Sequence, residues 1–164
     1  MEIKSFNEMY VAELQELASA ERMLAQIWPQ FADLATRQAV KDVFASHGDE
    51  TRVQCERVEG LLQDHGASAT AHTDQAMQAL LTEARKMGDM LPAGDLRDAG
   101  LIASAQKIAH YEMAAFGTAA ALAGQLDLRK EQQALHTCLQ EEKHADALLT
   151  VLAKGEVNPG AVQV

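Results

Sequence analysis

Positive charge is scarce in this chain. Its 164 residues carry 14 Lys and Arg against 24 Asp and Glu, a formal net charge of -10 at pH 7. So acidic a surface repels phosphate backbones and anionic headgroups, which argues against nucleic acid and membranes as partners and suits a protein that attracts cations. Cysteine is nearly absent: Cys55 and Cys138 have no paired spacing. That excludes a disulfide framework and a Cys-rich metal site, and it predicts reduced thiols in a cytoplasmic protein. Aromatic residues make up only 4% of the chain, which argues against a strand-rich core. No apolar run reaches the roughly 18 residues of a membrane span, and MEIKSFNEMY lacks the apolar centre of a secretory signal.

What remains is an Ala/Leu-rich helical composition, 48% hydrophobic, with enough length for one domain over residues 1–164. Ser5 and Glu8 form a capping-box pattern that opens a helix running to about Ala35, with Pro29 as a place where it can bend. A second helix runs from Thr36 to about His65 and stops at Gly66. The small, polar stretch GASATAHT reads as a crossover loop. A shorter helix over 74–87 follows, capped by Thr73, and 88–94 breaks it. A third long helix spans Asp95 to Ala123. A short link near Gln125–Leu128 makes the last helix, capped by Asp127, its antiparallel neighbour. The tail 155–164 is expected to be loose or docked on a partner.

Each long helix carries an apolar seam spaced alternately by four and three, the repeat of a packed bundle helix, and each seam is interrupted by acids. In the first, Glu21 lies between Leu17 and Leu24. In the second, His47, Glu50 and Gln54 follow Val40 and Val43 and precede Val58 and Leu61. In the third, Glu112 lies between Ile108 and Ala115. In the fourth, Glu142 and Asp146 lie between Leu139 and Leu149. The separation of Glu21 from Glu50 nearly equals that of Glu112 from Glu142, so antiparallel pairing brings all four glutamates into one layer. Ionised carboxylates drawn from water cost several kcal/mol each unless paired or bound to a cation.

Two readings of that layer compete. It is either a site for divalent metal or a salt-bridge layer, and the nearest basic residues (Arg22, Arg52, Lys107, Lys143) lie off the seams. Di-iron and di-manganese bundles use single glutamates on two helices and Glu-x-x-His on the other two. Glu21, Glu50, Glu112 and Glu142 fit the glutamate positions. The histidines do not, since Val53 and Ala145 stand three residues on, whereas Gln54 and Asp146 stand four on. His47, one turn before Glu50, either ligates or orients a carboxylate. Glu141 and His144 form a literal Glu-x-x-His and offer a rival register for the last helix, with Cys138 and Ala145 in its seam.

The stretches SAERML (19–24), HGDET (47–51), ASAQKIAHYEMAAFGT (103–118) and LQEEKHADALLTVLA (139–153) together resemble the YciF family of bacterial stress-associated proteins. The resemblance implies an all-α, ferritin-like four-helix bundle with one short helix in the crossover, usually a homodimer. It also implies a site for two iron ions (or manganese) on Glu21, Glu50, Glu112 and Glu142, with Gln54 and Asp146 beside them. Relatives carry a glutamate one turn before the third-helix ligand, where this chain has Ala109; its loss weakens a second metal position. The resemblance fixes no reaction and no catalytic residue. Two functions follow as expectations: oxidase or peroxidase-type chemistry on oxygen or peroxide, or a non-enzymatic dimer used in stress protection.

Overall fold

The computed structural model describes residues 2–163, and they are helical throughout apart from short connections. Helix α1 spans Phe6–Leu34, α2 Gln38–Asp64, α3 Gln75–Met90, α4 Asp95–Gln125 and α5 Arg129–Leu152. A π-helical turn, Ala153–Val157, and a short helix α6, Asn158–Ala161, complete the chain. The long helices α1, α2, α4 and α5 form the four-helix bundle expected from the seams. α1 packs chiefly on α2 and α4 on α5, while α3 bridges the crossover and lies on α4.

The caps fix where the helices begin. The Ser5 hydroxyl accepts from Glu8 N at 3.1 Å, and the Glu8 carboxylate takes the Lys4 amide, so α1 opens at the expected pattern. It runs through Pro29 unbroken. α2 has no cap of its own. The Asp98 carboxylate of α4 accepts from Thr36 N and Arg37 N, both at 2.8 Å, and so ties the α1–α2 turn to the third long helix.

Three expected boundaries are corrected. Asp74, not Thr73, caps α3, through Oδ1 to Met77 N at 2.8 Å, and α3 continues past Gly88 to Met90. Asp127 does not cap α5. It takes φ 58, the left-handed turn that ends α4, and lets Leu128 N bond Ala123 O at 3.0 Å. The tail is not loose: Val157 is fully buried among core side chains. Gly160 lets the backbone close on the Asp95–Arg37 ion pair, where any Cβ would collide with the Asp95 carboxylate.

The bundle core is divided. Leu24, Trp28, Phe31, Phe44, Ile108 and Leu149 belong to one apolar cluster. Leu14, Leu17, Val58, Phe116 and Leu135 belong to the other. Polar side chains occupy the level between them.

Candidate metal centre

Four helices each send a buried polar side chain into that level. Glu21 from α1, Gln54 from α2, Glu112 from α4 and Glu142 from α5 are fully buried, and His47 from α2 is 4% exposed. Glu112 occupies the middle, within hydrogen-bonding reach of both Glu21 and Glu142. The Gln54 amide donates to Glu142 Oε1 at 2.9 Å and to Glu141 Oε2 at 3.1 Å. Nε2 of His47 lies 3.5 Å from Glu142 Oε2. One donor atom each of His47, Glu112 and Glu142 falls within 4.8 Å of the others.

Neighbouring apolar residues fix the imidazole. The Trp28 ring meets it edge-on, centroids 4.6 Å apart, and Trp28 Nε1 is itself anchored by donating to Thr51 Oγ1 at 3.0 Å. Gly48 makes room, since a Cβ there would lie 3.2 Å from Trp28 Cβ. The sequence reading did not pick out Trp28 and Thr51 as supports. The available signal was the small pair Gly48 and Thr51 on one face of α2, opposite the chain's single tryptophan.

Charge is badly compensated here. Burial pushes the Glu21 and Glu112 carboxyls well above their ordinary range, and the nearby Glu142 pushes them further. Glu142 is raised by burial too, though His47 and the Gln54 amide draw it back. Both carboxylate oxygens of Glu21 and of Glu112, Oε2 of Glu142, Oε1 of Gln54 and Nδ1 of His47 are buried with no hydrogen-bond partner. As carboxylates, the three acids face one another with no donor between them, so only shared protons or a cation can satisfy them. The unpartnered atoms are oxygen and imidazole donors of the kind that divalent iron or manganese takes, so the residues present fit such an ion.

The salt-bridge alternative finds no Lys or Arg partner for these carboxylates among the described residues; only His47 approaches one of them. Arg22 pairs with Glu59, Arg52 with Asp49, and Arg57 with Glu141 and the buried Cys138 thiol. Burial pushes that thiol up to about 12, while the guanidinium pulls it back.

Two expected members fall outside the buried group. The Glu50 side chain is 43% exposed and stands 3.5 Å from the outer nitrogen, Nδ1, of His47. α2 is turned so that Phe44, Gly48 and Thr51 face inward against Trp28, in place of Val43 and Glu50. That rotation seats the bulky indole. Asp146 is 22% exposed and accepts from Gln106 Nε2 at 3.0 Å, with His110 Nε2 at 3.4 Å. The buried line of α5 runs Leu135, Cys138, Glu142, Ala145, Leu149 and Leu152, between the two registers considered. Glu142 therefore points inward as expected, Asp146 moves to the rim, and the rival pair stays outside. Glu141 holds Arg57, and His144 is exposed. Gln106, which also donates to Thr150 at 2.8 Å, carried no mark in the sequence. Ala109 is buried one turn before Glu112.

No helix among the described residues is long and apolar enough to cross a membrane. A family model described as a domain of unknown function, DUF892, matches residues 5–162. Protein YciF of Escherichia coli (strain K12) is 34% identical over 162 residues, 98% of this chain and 98% of that protein. The crystal structure of the E. coli stress protein YciF superposes with a TM-score of 0.90, at 34% identity, over 95% of this chain and 99% of that one. YcfI of Rhodopseudomonas palustris, described as a candidate structural protein, gives 0.87 at 28% identity over 91% and 95%. The chain belongs to the DUF892 family, together with YciF.

Proposed function

We propose that this protein is a carboxylate-rich metal protein of the ferritin-like class whose buried layer holds iron or manganese. The observation that carries the reading is the set of buried, unpartnered donors on four helices, three of which (His47, Glu112 and Glu142) come within 4.8 Å of one another with no Lys or Arg paired to them. Glu112, between Glu21 and Glu142, would be one of the ligands. His47 offers Nε2, and Gln54 steadies Glu142 through its amide while its oxygen stays free. His47, Glu112 and Glu142 would hold a first ion, with Glu21 and the Gln54 oxygen beside them. A second ion of the expected pair would need Glu50 or Asp146 from the rim, and Ala109 would supply nothing to it.

When bound, such an ion supplies Lewis acidity and one-electron capacity toward oxygen or peroxide. The apolar clusters on either side exclude bulk water from that reaction, and the Trp28–Thr51 pair holds the imidazole still. We read the molecule as a cytoplasmic homodimer acting in stress defence, in line with the description of E. coli YciF as a stress protein. The test is peroxide consumption by iron-loaded protein, with Glu112→Leu as control. Turnover in the parent that the variant loses supports oxidase or peroxidase-type chemistry.

The description of the R. palustris relative as a candidate structural protein favours a second reading, a non-enzymatic dimer with a structural metal or none. A metal-free protein that keeps its full stability, and a metal-loaded one that consumes no peroxide or oxygen, decide for it.

A further inference from the structure

The three carboxylates of the layer are fully buried, so a cation must cross the protein to reach them. Along the bundle axis the way is closed by apolar clusters, with Trp28, Phe31 and Phe44 on one side and Leu14, Leu17 and Phe116 on the other. Sideways, the surface offers grooves. The one between α4 and α5, lined by Gly117, His136 and Leu139 among others, reaches none of the buried donors. The one between α2 and α5 does. It has a volume of about 280 Å³, its walls carry Asp42, Ser46, Glu50 and His144, and His47 forms part of its floor. A second groove continues it past Ser46, Asp49 and Glu50 to Glu141, whose carboxylate shares the Gln54 amide with Glu142.

His47 joins the outside to the inside. Its ring is 4% exposed, Nδ1 has no hydrogen-bond partner, and that atom looks outward to Glu50 Oε2 at 3.5 Å. Nε2 looks inward to Glu142 Oε2, also at 3.5 Å. An unpartnered buried nitrogen at the floor of an acid-lined groove is the feature a passing cation needs. We propose that the α2–α5 groove is the entry port for the divalent cation, a capture site made by Glu50, His144 and Nδ1 of His47 from which the ion moves to the buried carboxylates. This rests on the metal reading above. Half-exposed Glu50 keeps a carboxylate oxygen available to water and to the ion alike, and His144 lines the same groove. Asp42 and Glu50 set negative charge among the apolar Val43, Ala145 and Leu148 of its walls, and that charge draws cations to the mouth.

Loading kinetics test it, with Co²⁺ as probe and the emission of Trp28, the single tryptophan, as signal. The indole lies against His47, so an ion at the layer quenches it. Two variants at exposed groove positions alter the port and leave the buried donors untouched. Ser46→Phe fills the groove, and Asp42→Asn removes a charge from its wall. Ala121→Phe, on the α4–α5 groove, is the control. Each is first checked for an unchanged melting curve. Both port variants are expected to slow quenching by about tenfold or more, with the same Co²⁺ per chain at equilibrium dialysis, while the control loads at the parent rate. Port variants that load as fast as the parent overturn the port and leave the metal site standing. A parent that retains no Co²⁺ on dialysis overturns both.

Discussion

Nε2 of His47 on α2 lies 3.5 Å from Oε2 of Glu142 on α5, across the level where the apolar core is interrupted. The two side chains come from helices that pack mainly on other partners, so their meeting depends on the assembled bundle. A ligand pair built this way responds to substitution at either end. His47→Phe keeps an aromatic ring against Trp28 and removes both nitrogens. It is expected to retain the helical fold and to weaken divalent-cation binding by on the order of 10–100-fold or more. Isothermal titration of the metal-free protein with Mn²⁺ measures the change.

Glu112 lies at the centre of the layer with both oxygens orphaned. Glu112→Leu replaces a costly buried acid with an apolar side chain of similar size. Without metal the variant is expected to be more stable than the parent by about 1–4 kcal/mol, the range seen when buried charged groups give way to well-packed apolar ones. Its rise in melting temperature on adding Mn²⁺ should disappear. Urea denaturation with and without metal reads both effects.

The pH dependence follows from the same carboxyls. Glu21 and Glu112 are held well above their ordinary value of 4.5 by burial, with Glu142 adding to it. A raised acid binds its proton more tightly in the folded state than in the unfolded one. Its stabilising contribution is full below 4.5 and is lost as pH rises through the raised values. The metal-free parent is therefore expected to lose stability relative to Glu112→Leu as pH rises from 4.5 through those raised values. Saturating Mn²⁺ displaces the layer's protons, so the stabilisation it confers should grow over the same interval. Thermal melts of both proteins across that range, with and without Mn²⁺, check the slopes.

The fold and the acid layer were legible because α1 and α4 place one glutamate each in an otherwise apolar seam, and Glu21 and Glu112 are where that spacing puts them. The register of α2 was not. Val43 and Phe44 are both apolar, and nothing in their order says which faces in. The choice is made across the bundle by Trp28, which needs the space left by Gly48 and the hydroxyl of Thr51. That turns Glu50 to the rim. On α5 the buried line falls between two plausible seams, so Glu142 lies inside and Asp146 at the rim. The tail was illegible for another reason. A stretch holding Pro159 and two glycines looks like a disordered end, and its order comes from one buried valine and one close backbone approach to α4.

Asp98 caps a helix that has no cap of its own. Its carboxylate takes both Thr36 N and Arg37 N from within the protein, fully buried. Asp98→Ala orphans two amides at the α1–α2 turn and is expected to cost about 1–2 kcal/mol, the scale of a lost helix cap. Urea denaturation reads it, with cation binding unchanged because the turn lies away from the layer.

Val157 docks the tail on the core cluster that includes Leu101 and Ile102. Val157→Ala removes roughly two buried methylene equivalents and is expected to cost about 2 kcal/mol. If the tail were loose, the same substitution would leave the denaturation midpoint unmoved.

The most direct test of the metal layer is metal content. Protein purified without chelator, or reconstituted anaerobically with Fe²⁺ or Mn²⁺ and desalted, is assayed for metal per chain beside Glu112→Leu and His47→Phe. Retention of at least one ion per chain by the parent, lost in both variants, is the predicted result. A parent that retains no ion after reconstitution, or variants that retain as much as the parent, would contradict it.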